Sequence, residues 1–380
     1  MRRESYLHDL EAMFKVNPIV ALLGPRQCGK TTLAKEYFKK HHGAITHYFD
    51  LENPMDLLQL QDPMLALEDL TDLIVIDEIQ RLPELFPVLR VLVDQKEKAR
   101  RFLILGSASR ELIRQSSESL AGRIHYTELT PFSYEETHSL GTLWMRGGFP
   151  LSFLAETESQ SMQWRKDYIR TFLEQDIPNL GIRIPAQRLR RFWMMLTHYH
   201  GQLLNASDLG NSLDLSSNTI KHYLDILTGT FMVRQLQPWH ENIAKRQVKT
   251  AKIYFRDSGL YHTLMNISSQ EELRMNPRLG ASWEAFALES IVRHLHVDHA
   301  DCYFWAVHNQ ADLDLLIVRG GERLGFEIKH TKMPALTRSM KVAMEDLKLD
   351  TLTVIYTGDK VIKLTKQITC YPLEYFLGLK

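Results

Sequence analysis

The chain has 380 residues, 44% of them hydrophobic and 24% charged, with 46 basic and 46 acidic side chains and a formal net charge of zero. This composition excludes a disordered polymer and a collagen-like fibre, and it leaves any contact with nucleic acid to a local patch. Three cysteines without paired spacing argue for a reducing, cytoplasmic setting, and neither an apolar leader nor a run of about 18 apolar residues offers a membrane segment.

The length suits two or three domains, and no internal repeat interrupts it. Residues 4–15 carry apolar positions at helical spacing. Residues 18–23 form a short apolar run that predicts a buried strand, and residues 32–40 predict a helix. Between them lies Gly24-Pro25-Arg26-Gln27-Cys28-Gly29-Lys30-Thr31-Thr32, which matches the phosphate-binding pattern G-x-x-x-x-G-K-[ST] in its strand–loop–helix context. Glycines at 24 and 29 let the backbone curl so that successive N–H groups and the helix N-terminus face an anion. Lys30 is expected to reach the β- and γ-phosphates of ATP, and the Thr31 hydroxyl to ligate Mg2+. Only the backbone of Cys28 is needed here; a redox role for its thiol would require a lowered pKa.

Further apolar strands are expected at 45–51, 72–77, 101–107 and 123–129, separated by helices such as 83–95. This alternation predicts an α/β fold with a mostly parallel sheet covered by helices. The 72–77 strand ends in Asp77-Glu78. Asp77 would hold Mg2+ through its water shell, and Glu78 would orient or deprotonate the attacking water. The next strand ends in Gly106-Ser107-Ala108-Ser109. If that strand lies between the first and third, Ser107 and Ser109 are candidates for sensing the γ-phosphate; Ser109 serves equally as a helix N-cap for Arg110 onward.

These motifs, with Ile79-Gln80, Leu120-Ala121-Gly122-Arg123 and Arg146-Gly147-Gly148-Phe149-Pro150, resemble the bacterial and archaeal AAA-type P-loop ATPases that carry a C-terminal nuclease-like domain. The resemblance covers nearly the whole chain and implies an ATPase domain over 1–150, a helical and winged-helix module over 151–270 and a nuclease-like domain over 271–380. It also draws attention to Arg123, which would neutralise γ-phosphate charge in cis or from a neighbouring subunit, or else stand as a surface arginine opening a strand.

Residues 160–176 and 186–200 predict helices, the second opening with Arg188, Arg190 and Arg191. The stretches 205–213 and 215–227 resemble a helix-turn-helix, with Ile220, Leu224 and Leu227 buried and Ser217, Asn218, Lys221 and His222 facing outward. Strands at 231–238 and 252–255, joined by the basic stretch Lys245-Arg246-Gln247-Val248-Lys249, complete a winged helix. Such a module puts its second helix in the major groove and its basic loop, here Lys245, Arg246 and Lys249, on phosphate; it serves elsewhere as a protein-binding unit.

In the last third, a helix over 280–296 carries Glu284, and strands over 312–319 and 322–329 are joined by Gly320-Gly321, a two-residue hairpin signal. Counting from that turn sets Arg319 opposite Glu322, Asp314 opposite Glu327 and Asp312 opposite Lys329, about 5 Å apart. Two facing acids call for a shared divalent metal, a second Mg2+ or Mn2+, with Lys329 beside it. The set Glu284, Asp314, Glu327 and Lys329 is similar to the PD-(D/E)XK nuclease pattern, although Asp312 stands where a Glu-x-Asp sequence is more typical. His294, His296 and His299 match no structural zinc spacing and read as surface histidines.

The sequence therefore predicts Mg-dependent ATP hydrolysis driving DNA binding, remodelling, translocation or processing. An ATP-controlled scaffold for protein partners with an inactive nuclease-like domain, and an ATP-gated DNA nuclease, are the alternatives. A homo-oligomer is compatible with each.

Overall fold

Continuous runs of buried apolar residues build the central strands of the first sheet. The computed structural model describes residues 2–41, 47–95, 98–109, 120–241, 247–307 and 311–379. Strands β1 (Ile19–Leu23), β2 (His47–Asp50), β3 (Asp72–Asp77), β4 (Arg100–Gly106) and β5 (Ile124–Glu128) pair in parallel in the order β2-β3-β4-β1-β5. Within β1, Ile19, Ala21 and Leu23 face a cluster shared with Leu85, Leu89 and Leu92 of the helix Leu85–Asp94. Val20 and Leu22 face the other side, against Leu7, Leu10 and Phe14 of the helix Glu4–Phe14 and Leu33, Ala34 and Tyr37 of the helix Lys30–His41. Both faces are covered, which is why the strands read as continuous apolar runs rather than as alternating ones. Full burial of each such Leu or Ile stabilises by roughly 1.5–3 kcal/mol.

β4 lies between β1 and β3, the condition for Ser107 to stand beside the phosphate loop. Residues 45 and 46 of the second expected strand lie outside the described residues.

The chain divides into two compact units, and the division differs from the expected boundaries near 150 and 270. One unit comprises Met1–Pro131, Thr171–Ile184 and Asp225–Met232; the other comprises Phe132–Arg170, Pro185–Leu224 and Val233–Lys380. The helix Glu158–Thr171 continues into a π-helical turn, Phe172–Asp176; the turn belongs wholly to the first unit, and the helix up to Arg170 to the second.

The second unit is organised on a nine-stranded sheet of order β13-β14-β12-β11-β10-β9-β7-β8-β6. Its strands are β6 (Gln202–Leu203), β7 (Val233–Pro238), β8 (Lys252–Phe255), β9 (Cys302–Val307), β10 (Ala311–Arg319), β11 (Glu322–Lys329), β12 (Thr351–Tyr356), β13 (Ile362–Lys363) and β14 (Ile368–Pro372). The end of β7 pairs with β9 across the boundary expected near 270, through Gln237↔Tyr303 and Pro238↔Phe304. Pairing satisfies two strand edges that would otherwise expose backbone donors and acceptors.

The helices Ala206–Leu213 and Ser217–Gly229 follow β6 and precede β7 and β8, in the order read from the sequence. The Gly147-Gly148 stretch meets Asp257 and Gly259: Gly148 N–H donates to Asp257 Oδ2 at 2.8 Å, and a Cβ on Gly147, whose φ is 76°, would lie 2.1 Å from Asp257 Oδ1. That family-pointing motif is thus a packing joint of the second unit.

Candidate nucleotide site and a second charged cluster

The C-terminal ends of β1, β3 and β4 place the expected nucleotide residues together. Gly24 is required by a close approach, since a Cβ there would lie 2.2 Å from the Leu129 carbonyl oxygen, and Gly29 adopts a φ of 101°. Lys30 is buried, and its ammonium donates to the carbonyls of Gly24 at 3.0 Å and Pro25 at 2.9 Å, folding the side chain back over the loop. Thr31 opens the helix and its hydroxyl donates to Asp77 Oδ2 at 2.7 Å. The same carboxylate oxygen accepts from the Tyr48 hydroxyl at 2.6 Å. Burial raises the Asp77 pKa, against the pull of the Tyr48 and Thr31 hydroxyls. A buried carboxylate next to a threonine hydroxyl at the mouth of a phosphate loop is a donor set suited to a hard divalent cation, so Thr31 and Asp77 fit Mg2+.

Glu78 leaves the strand in the left-handed region, with φ 58° and ψ 45°. That conformation costs a non-glycine residue about 1–3 kcal/mol and is concentrated at functional sites. It delivers the carboxylate to a polar cluster: Ser107 Oγ donates to Glu78 Oε2 at 2.9 Å, and the Gln80 amide bonds both Glu78 Oε2 and, at 2.9 Å, Ser107 Oγ. Ser107 N–H in turn donates to Gln80 Oε1 at 3.3 Å. Ser107 therefore meets the expected base directly. Ser109 N–H donates to the Gly229 carbonyl at 2.7 Å, and Arg110, which it was expected to cap, lies outside the described residues.

One alternative for Arg123 is corrected, and the redox alternative for Cys28 finds no support. Arg123 precedes β5, at the end of the parallel sheet opposite to Gly24, because β5 runs alongside β1 with Ile19↔Ile124 and Leu23↔Glu128 in register. Its guanidinium makes a forked pair with Asp94, at 2.7 and 3.0 Å, so a role on the γ-phosphate in cis is withdrawn. Cys28 contributes backbone only. Its thiol points into the core, 3.4 Å from the Leu129 carbonyl, and burial raises its pKa, the reverse of what a redox switch requires. The other cysteines, Cys302 and Cys370, are also free and buried.

Sequence reasoning missed Tyr48, the role of Gln80, and the side chain of Arg26. The Arg26 guanidinium pairs with Glu52, just past β2, and with Asp176 in the π turn. Tyrosine and aspartate placements of this kind depend on which strands become neighbours, and no local spacing announces them.

The second cluster lies in the second unit. Glu284, Asp314, Glu327 and Lys329 come together as expected, and Lys252 and Tyr254 of β8 join them. Lys252 Nζ lies 3.6 Å from Asp314 Oδ1 and 3.9 Å from Glu284 Oε1, the Tyr254 hydroxyl donates to Glu284 Oε1 at 2.5 Å, and Lys329 Nζ pairs with Glu327 at 2.5 Å. The β10–β11 ladder runs from Arg319↔Glu322, as counted, to Leu315↔Phe326 and stops one rung short of Asp314. The β10–β9 register shifts between Leu313 and Leu316, and between them Asp314 Oδ2 accepts from Ile328 N–H at 2.8 Å. Asp312 is not paired with Lys329; it bonds Ser339 instead.

Lys252 and Lys329 pair with the acids of this cluster, and among the described residues no group of three or more His, Cys, Asp or Glu is arranged to hold a metal ion. Burial, then the charge of Asp314, raises Glu284 to about 7 and Glu327 to about 8. Burial opposes the charge on Lys252, but Asp314 and Glu284 outweigh it and its pKa rises. The three histidines are not a zinc group: His294 pairs with Glu135 and His299 with Arg234.

On the helix Ser217–Gly229, Ile220, Leu224 and Leu227 are buried while Asn218, Lys221 and His222 are exposed and Ser217 is half-buried. Lys245 and Arg246 lie outside the described residues. Lys249 is exposed, but Gln247 and Val248 beside it are fastened to β9, Val248 N–H donating to the Ala306 carbonyl at 3.1 Å. No described helix is long and apolar enough to cross a membrane.

The strand order and the loop with its Thr31–Asp77–Glu78 set define an AAA-type P-loop ATPase, and an AAA domain model matches residues 16–138. Two models described only as domains of unknown function, DUF8612 and DUF4143, match 137–271 and 279–376. The chain belongs to the family of the uncharacterized protein Rv2008c of Mycobacterium tuberculosis, with which it is 48% identical over 95% of its own length and 81% of that protein. Uncharacterized protein MJ1544 of Methanocaldococcus jannaschii is 20% identical over 94% of this chain and 86% of its own. Among solved structures, the Walker-type ATPase of Pyrococcus abyssi is similar with a TM-score of 0.49 and 15% identity, over 70% of this chain and 95% of that one. The Thermotoga maritima RuvB branch migration motor gives 0.32 and 19%, over 62% and 90%.

Proposed function

We propose that this chain hydrolyses ATP with Mg2+ and uses the cycle to control its engagement with DNA. The observation that carries the hydrolytic part is the pairing of Thr31 with Asp77 beside a Glu78 held by Ser107 and Gln80. Bound Mg2+ supplies charge to the β- and γ-phosphate oxygens. Thr31 and Asp77 hold it, and Lys30 turns from the loop carbonyls to the phosphates. Glu78 orients the attacking water and takes up its proton, while Ser107 and Gln80 fix the carboxylate rotamer. Ser109 stands as a second polar group at the end of β4. Arg123, at the end of the sheet opposite to Gly24, is placed to act only on a neighbouring copy.

The DNA part rests on the exposed face of the helix Ser217–Gly229, where Asn218, Lys221 and His222 stand clear of the buried stripe. Ser217 at its start and Lys249 near the wing are suited to phosphate, with Lys245 and Arg246 completing the basic stretch.

A second reading is favoured by Lys252. With its ammonium between Asp314 and Glu284, the cluster has the character of an internal ion network, which favours an ATP-controlled scaffold with an inactive nuclease-like domain over an ATP-gated nuclease. ATP turnover measured against single-stranded, duplex and branched DNA, with Glu78→Gln as the blank, separates the readings. Stimulation by DNA supports DNA as the target; turnover indifferent to all three supports a scaffold for protein partners.

A further inference from the structure

We propose that the Arg26 side chain reads the γ-phosphate of a bound nucleoside triphosphate, exchanging Asp176 for phosphate and so passing the nucleotide state to the π turn at 172–176. The inference rests on the ATPase reading above and deepens it. A phosphate loop needs only backbone at this position, yet Arg26 bridges two acids, 26 and 150 residues away along the chain. All three residues belong to the same compact unit.

The Arg26 guanidinium pairs with Glu52 and Asp176, the charge of Glu78 acts on both Arg26 and Asp176, and Arg81 lies 3.9 Å from the same Glu52 oxygen. A guanidinium is suited to fork-like pairing with carboxylate or phosphate, and a terminal phosphate carries more charge than either acid. Drawing Arg26 toward it leaves Asp176, whose side chain is 11% exposed, without its cation beside Glu52 and Glu78. A carboxylate in that position must move toward water. Its anchor is suited to that: π turns hold an extra residue within a helix and recur at functional sites. Phe172, Leu173 and Ile177 are buried, so the displacement is carried by the turn as a body. A diphosphate lacks the group that draws Arg26 away, so the two nucleotides leave the turn in different states.

The test compares equilibrium binding of Mg·ADP and Mg·ATPγS, together with amide hydrogen exchange over 172–180 in each complex, for the full chain. The wild type is expected to bind both nucleotides and to exchange faster over 172–180 with ATPγS. Arg26→Ala should weaken ATPγS by about tenfold or more, the loss of charge-assisted hydrogen bonds, leave ADP within about twofold, and erase the exchange difference. Arg26→Lys, which keeps the charge without the fork, should lose most of the preference while preserving the fold. Asp176→Asn should tighten ATPγS alone. Equal weakening of both nucleotides by Arg26→Ala, or identical exchange in the two wild-type complexes, overturns the proposal. If the wild type binds neither nucleotide, the ATPase reading falls first and this proposal with it.

Discussion

Thr31 Oγ1 and Asp77 Oδ2 stand 2.7 Å apart although 46 residues separate them in the chain. The hydroxyl comes from the first turn of a helix and the carboxylate from the end of β3, and the parallel order of β1, β4 and β3 brings both to the C-terminal end of the sheet. Glu78 follows in a strained conformation that the Ser107 and Gln80 hydrogen bonds hold in place.

Ser107→Ala is predicted to lower kcat for ATP roughly fivefold, the equivalent of one hydrogen bond of about 1 kcal/mol, with nucleotide affinity unchanged. Steady-state turnover and equilibrium binding on the same preparation check it. A fall in affinity with kcat intact would mean that Ser107 serves binding and not the base.

Arg123→Ala should leave turnover of the isolated chain within about twofold, because the side chain pairs with Asp94 at the far end of β5. A large loss of kcat that depends on protein concentration would instead mark Arg123 as acting on a neighbouring copy.

The acid cluster predicts a pH dependence of stability. Glu284 and Glu327 are raised from 4.5 to about 7 and about 8, so the folded chain binds protons there that the unfolded chain has released. Stability contributed by these groups is complete below pH 4.5 and is lost as pH rises to about 8. The Tm should therefore decline over that window, and Glu284→Gln should flatten the decline. Lys252→Met should cost roughly 3 kcal/mol at pH 8, in the range for breaking a buried ion pair, and less at pH 5, where the acids are protonated. Thermal unfolding of the two variants across pH checks the sign; a Tm that rises from pH 5 to 8 in the wild type and is unaffected by either substitution contradicts it.

For nucleic acid, Lys221→Glu and Lys249→Glu should each weaken duplex DNA binding and lower the slope of log K against log salt by about one. Fluorescence anisotropy at several salt concentrations is sufficient. Unaltered affinity and slope would make the face around Lys221 a protein-binding surface.

Much of the nucleotide site was legible because it is local: a strand, eight loop residues and a helix, and a second strand ending in two acids. Asp314 near Glu327 was legible too, since a two-residue turn fixes the count across a hairpin. What the count could not contain was the irregularity at 313–316 in the pairing of β10 with β9, or Lys252, which arrives from β8. For Arg123 the sequence left a phosphate role and a surface arginine opening a strand both open for a related reason: its distance from the loop is set by strand direction, and only the register of β5 on β1 reveals which end it occupies. The continuous nine-stranded sheet was hidden because β7 and β9 lie far apart in sequence, and no motif marks an edge that another strand will cover.

The central claim is ATP hydrolysis by Glu78 in the service of DNA engagement. It is tested most directly by steady-state ATP turnover with Mg2+, with and without duplex DNA, for the wild type and Glu78→Gln. The account predicts wild-type hydrolysis that rises with DNA, and a Glu78→Gln protein that still binds ATP but falls by about two orders of magnitude or more in kcat under both conditions. Equal turnover in the two proteins, or a wild type that hydrolyses no ATP with or without DNA, would contradict it.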